Sequence, residues 1–106
     1  MNVIGIVKAA GANPSLWRIL HTTDRSQVAI MNLAPGESSS SGMSVHPEQD
    51  QLLYLLEGEL EAEVGGEIGR VRAGELAIVP AGAPHRFTNK GGAPARSLNI
   101  YSPPAY

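Results

Sequence analysis

The chain has 106 residues, with 8 Lys+Arg against 10 Asp+Glu, a net charge of -2, 12 Gly, 8 Pro and no Cys. That is one domain's worth of sequence, long enough to bury roughly two thirds of its unfolded surface without covalent staples. The missing Cys excludes a disulfide framework, a thiolate metal site and a Cys nucleophile; the charge balance offers no basic patch for nucleic acid or a membrane surface; and the short apolar runs exclude a transmembrane helix.

Residues 1–15 read as an N-terminal segment. Its first part, MNVIGIVKAAGA, is apolar but interrupted by Gly, and lacks the basic start and long apolar run of a signal peptide. The expectation is an additional edge strand or a strand across a homodimer interface, in a cytoplasmic protein. The domain proper is 16–106. Short apolar stretches follow at 16–20, 27–33, 43–45, 52–56, 60–64, 68–71, 76–79, 86–88 and 97–101. Between them stand Asp24-Arg25, Pro35-Gly36, Glu57-Gly58, Gly65-Gly66, Ala73-Gly74, Pro80-Ala81-Gly82 and Gly91-Gly92, residue types that supply the positive or fixed φ of tight turns. Many short strands at this spacing predict an all-β sandwich or barrel, and no window carries a helical stripe free of Gly or Pro. The clearest strand is 57–64, with Glu57, Glu59, Glu61 and Glu63 on the wet face and Leu60, Ala62 and Val64 on the core face. The serine run 38–41 cannot pack a core and reads as a loop. Gly65-Gly66 and Gly91-Gly92 read as hairpin turns rather than phosphate loops.

Any metal chemistry must rest on His21, His46 and His85 together with carboxylate or amide oxygen. His85 follows Gly82-Ala83-Pro84 and opens a strand. His46 ends a strand before Pro47, and Gln51 begins the next one. Two imidazoles and an amide oxygen on adjacent strands converge inside a barrel. No Gly-x-Ser-x-Gly elbow supports a serine nucleophile.

The run from Gly74 through Pro80, Gly82 and His85 to Asn89 resembles the second signature of the cupin superfamily at every fixed position. Tyr54-Leu55-Leu56-Glu57-Gly58 resembles the end of the first signature. Counting back from it, Gln51 stands where the family has Glu, His46 at its second His and Ser44 at its first. The segments 45–51 and 100–104 look like a subgroup often labelled mannose-6-phosphate isomerase-like. The resemblance implies a small single-domain barrel of the double-stranded β-helix (jelly-roll) type, built of two antiparallel sheets. It also implies a divalent transition metal (Zn, Ni, Fe, Mn or Cu) held by His46, Gln51 and His85, with Ser44 a weak fourth ligand and a small polar molecule, a sugar or an organic acid, as ligand. Alternation along a strand sends Ser44 and His46 to the same side, and residues 47–50 would make the turn that lets the flanking strands pair. Asp50 would face solvent, and Glu48 is a substitute ligand weighed against a solvated turn residue. Trp17 reads as core or interface, Arg18, Arg86 and His21 as surface, and Tyr54, Phe87 and Tyr101 as lining or capping the barrel. Three functions stay open: a metal-dependent cupin acting on its ligand, a non-catalytic binding or sensing module, and a degenerate barrel valued for its dimer interface.

Overall fold

A computed structural model describes residues 13–106. The strands are β1 (Leu16–Thr22), β2 (Gln27–Leu33), β3 (Asp50–Glu57), β4 (Glu59–Val64), β5 (Glu67–Arg72), β6 (Leu76–Val79), β7 (His85–Thr88) and β8 (Ala95–Ser102). Among the described residues there is no helix long and apolar enough to cross a membrane. The strands form a five-stranded sheet in the order β1-β2-β8-β3-β6 and a three-stranded sheet in the order β5-β4-β7. All named pairings are antiparallel. The expectation of a barrel made of two antiparallel sheets holds. The segment expected to add an interface strand, residues 1–12, lies outside the described residues.

Register decides what enters the barrel. In the large sheet Leu53 faces Asn99, which faces Ala29, and Leu55 faces Ser97, which faces Met31. All of these are buried, and together with Leu60 and Phe87 from the small sheet they fill the interior. The alternate residues go outward. Tyr54, Leu76 and Ile78 therefore lie exposed on the outer face, which corrects the expectation that Tyr54 lines the interior. Phe87 and Tyr101 are buried as expected.

Local expectations change at three places, each because the chain passes between sheets where the residue pattern suggested continuity or a hairpin. The strand expected over 57–64 breaks at Gly58. Glu57 ends β3 in the large sheet, and the acidic alternation proper begins with β4 in the small one. Gly58 has φ +85 and sits so close to the chain that a Cβ would come within 2.7 Å of the Pro94 carbonyl and 2.9 Å of Ala95 Cα. Only glycine meets both demands. Gly91-Gly92 lies in the link from β7 to β8, strands of different sheets, and so is not a hairpin turn. Residues 43–45 make a single bridge, Ser44 to His85. The residues after His46 accordingly cross to β3 instead of turning back to pair with it. Gly65-Gly66 does close a two-residue hairpin between Val64 and Glu67, with φ of 57 and 86, the double positive φ of a type I′ turn.

These contacts predict a graded response. Gly58→Ala should lower unfolding stability by about 3 kcal/mol, combining left-handed strain with overpacking. Gly74→Ala, at φ +88 with nothing within 4 Å of a new Cβ, should lose only about 1 kcal/mol. Urea denaturation of the two variants checks the ordering, and equal losses would refute it.

Candidate functional site

The loop before β7 aims His85. The Ala83 amide donates to the Pro80 carbonyl at 3.0 Å, Gly82 takes φ 83 between them, and the Gly82 amide donates to the His46 carbonyl at 2.8 Å. Asp50 Oδ1 accepts from the Ala81 amide at 3.0 Å. Asp50 thus holds this loop from outside the site, consistent with its expected outward direction. Ser44 and His85 then exchange both backbone hydrogen bonds, at 2.8 and 2.9 Å. The loop thereby ties His46, Ser44 and His85 together although 39 positions separate His46 from His85.

Ser44, His46, Gln51 and His85 line one cavity of about 200 Å³, together with Trp17, Met31, Ser39, Phe87, Tyr101 and Tyr106. The structure brings together all four residues singled out from the sequence. The His46 and His85 rings have centroids 5.1 Å apart and are tilted by 40°. His85 is buried, and its Nδ1 lies 3.1 Å from the Ala83 carbonyl. A carbonyl can only accept, so Nδ1 carries a proton, and the neutral imidazole keeps its lone pair on Nε2. His46 is edge-on to Tyr101 and to Tyr106, at 5.3 and 5.6 Å.

Gln51 is the most constrained member. It is buried, and its Nε2 donates to Asn99 Oδ1 at 3.0 Å. Its Oε1 is buried with no hydrogen-bond partner, a costly condition unless something binds there. Glu48 does not join the group: it does not line the cavity, and among the described residues no three His, Cys, Asp or Glu side chains are grouped so as to hold a metal ion. No charged side chain lines the cavity at all. His21 is exposed at the far end of β1, as expected. Arg86 faces out and pairs with Glu63 at 3.2 Å.

Two aromatic residues of the wall, Trp17 and Tyr106, and one residue behind it, Asn99, escaped the sequence reading. Trp17 packs edge-on against Tyr106 at 5.2 Å and against Tyr101 at 6.3 Å, so it belongs to the cavity wall rather than to the core. Tyr106 is held by Gln27, whose Oε1 accepts from the Ala105 and Tyr106 amides at 3.1 and 2.9 Å and whose Nε2 donates to the Tyr106 carbonyl at 2.8 Å. Asn99 stands behind Gln51. For Asn99, and for the Gln27 that holds Tyr106, the only advance signal was polarity at inward strand positions, which a single sequence does not separate from ordinary core polarity.

The site's electrostatics follow from burial. Burial first, and the neighbouring His85 second, hold the His46 imidazole below its ordinary value of 6.5. Burial, with the adjacent Tyr106 phenol and a hydrogen bond to it adding to the effect, pushes Tyr101 upward, so its phenol stays protonated. An NMR titration of the metal-free protein should therefore give His46 a midpoint under 6.5. His85→Gln should restore only the smaller, electrostatic share. A depressed histidine leaves the unfolded chain binding more protons, so stability should fall as pH drops below 6.5. A midpoint at or above 6.5 would contradict this reading.

The family model described as Cupin domain matches residues 29–101. The chain is 43% identical over 73 residues to the tetracenomycin polyketide synthase protein TcmJ of Streptomyces glaucescens, a match covering 69% of this chain and 48% of that one. It is similar to the crystal structure of BH2720 from Bacillus halodurans, with TM-score 0.82, 31% identity and coverage of 90% of this chain and 75% of that one. A sugar phosphate isomerase of the cupin superfamily from Silicibacter pomeroyi gives TM-score 0.67 and 30% identity, covering 76% of this chain and 52% of that one. The chain spans about half the length of the curated relatives it matches.

Proposed function

The chain belongs to the cupin family, and on that premise we propose that it is a small metal-binding cupin that binds or acts on a small polar molecule in the barrel. One observation carries the reading. Two imidazoles with centroids 5.1 Å apart share a cavity wall with a carboxamide whose oxygen is buried and unpartnered. An acceptor in that condition, beside an imidazole whose Nε2 lone pair is free, has the donor chemistry of a divalent transition-metal site. His46, His85 and Gln51 would hold the ion, with Ser44 a weak fourth ligand.

All of these donors are neutral, so a bound ion keeps its full formal charge and polarises a carbonyl or hydroxyl oxygen as a Lewis acid. The donor set suits Zn, Ni, Fe, Mn or Cu. The chain's own residues supply the rest. Trp17, Tyr101 and Tyr106 offer a flat apolar wall, and the protonated Tyr101 phenol is a hydrogen-bond donor rather than a base. No Lys or Arg lines the cavity, which favours an unphosphorylated sugar or an organic acid over a phosphate ester. A second reading, a non-catalytic binding or sensing module, draws on the lack of a carboxylate among the lining residues to serve as general base.

Purified protein should carry a transition metal by elemental analysis. Added Zn, Ni, Mn or Fe at a hundred times its Kd should stabilise the fold by about 2.7 kcal/mol, a rise of about 10 °C in Tm. His85→Ala should abolish both signals, and His21→Ala neither. Less than about a tenth of an equivalent of metal together with no thermal shift would refute the reading. Metal without turnover on sugar, uronate and diketone panels would favour the binding module. The exposed Tyr54, Leu76 and Ile78 on paired strands support the homodimer expected from the sequence, which gel filtration tests.

A further inference from the structure

Behind Gln51 lies a buried chain of hydrogen bonds whose polarity is forced from one end. Ser97 Oγ lies 3.0 Å from the Met31 carbonyl. A carbonyl oxygen only accepts, so the single Ser97 hydroxyl proton is spent there. Ser97 Oγ can then only accept from its other neighbour, which makes Asn99 present Nδ2, at 3.1 Å. That turns Asn99 Oδ1 toward Gln51 and makes Gln51 present Nε2, at 3.0 Å. Ser97 and Asn99 are fully buried and Gln51 nearly so, so water does not relax any of these assignments. Turning the Gln51 carboxamide over would set oxygen against oxygen at Asn99.

We propose that Asn99 is a positioning residue for the site. Polarised through Ser97 by the Met31 carbonyl, it locks the Gln51 carboxamide with Nε2 behind and Oε1 as the acceptor offered to the bound ion. The consequence for metal rests on the reading above; the orientation of the carboxamide does not. The relay also says why residue 51 is wired as an amide. A carboxylate there has no proton for Asn99 Oδ1. Accommodating it would require reversing the whole relay, which removes the Ser97 proton from the Met31 carbonyl. Replacing Gln51 by the acid that stands at this position in the family signature would therefore not simply add a charge to the site.

Two measurements test this. In the metal-free wild-type protein, the Gln51 side-chain amide protons should exchange slowly with solvent and show coupling across the hydrogen bond to the Asn99 side-chain carbonyl carbon by NMR. Fast exchange without that coupling would overturn the proposal. The second uses Co2+ alone as the probe. Asn99→Leu should weaken Co2+ binding about tenfold or more, and should cost nothing further in a Gln51→Leu background, since Asn99 acts only through Gln51. An equal loss in both backgrounds means a merely structural role and overturns the proposal. Should Asn99→Leu fail to fold, the wild-type NMR measurement still decides. Should wild-type protein bind no Co2+, the metal reading fails, and the NMR result separately decides the orientation.

Discussion

Inside a barrel this small, each strand delivers every second residue to a single shared interior, and water is not there to satisfy what arrives. The interior therefore holds two kinds of side chain. Leu53, Leu55, Leu60 and Phe87 close-pack. Asn99 and Ser97, level with Leu53 and Leu55, and Gln51 and His85 arrive inward as well and need partners. The relay from Met31 to Gln51 is how the large sheet satisfies its inward polar groups while leaving one oxygen over. The Ala83 carbonyl does the same for His85, consuming Nδ1 and sparing Nε2. Both devices leave a lone pair at the cavity wall, which is the physical content of the site.

The site also depends on where the chain changes sheets. Gly58 lets β3 pass into β4 with the backbone nearly touching Pro94 and Ala95, so that the two sheets stay close enough to share an interior. The loop 80–84 and the bridge between Ser44 and His85 then bring the small sheet's histidine to the large sheet's glutamine. A stretch that looked like a strand, 43–45, needs only one bridge to place both Ser44 and His46, because the Gly82 amide holds the His46 carbonyl from the other side.

Local chemistry was readable in the chain wherever a residue's role is set by its own type and immediate spacing. Pro80 and Gly82 could be read as a turn from their residue types, and His85 was marked by the resemblance of the run 74–89 to the second cupin signature. The Gly65-Gly66 hairpin was readable because a type I′ turn demands positive φ twice. The roles of Gly58 and Gly91-Gly92 were not, because the same residues serve a hairpin or a crossing, and the choice depends on which sheet the next strand joins. Tyr54 was misplaced for a related reason: in a strand whose two faces are both apolar, alternation alone does not say which face is inside. Asn99 and Gln27 carried no local mark, since each acts on a partner 48 or more positions away.

By itself the sequence determined an all-β domain without thiolate chemistry, because turn residues and strand alternation are local properties; its resemblance to the cupin signatures added the barrel and a candidate site of Ser44, His46, Gln51 and His85. Tertiary structure alone decided that these four share one neutral cavity walled by Trp17, Tyr101 and Tyr106. It decided too which end of Gln51 is left bare. Hydrogen-bond polarity passes along contacts between strands, and those contacts exist only after the sheets have paired.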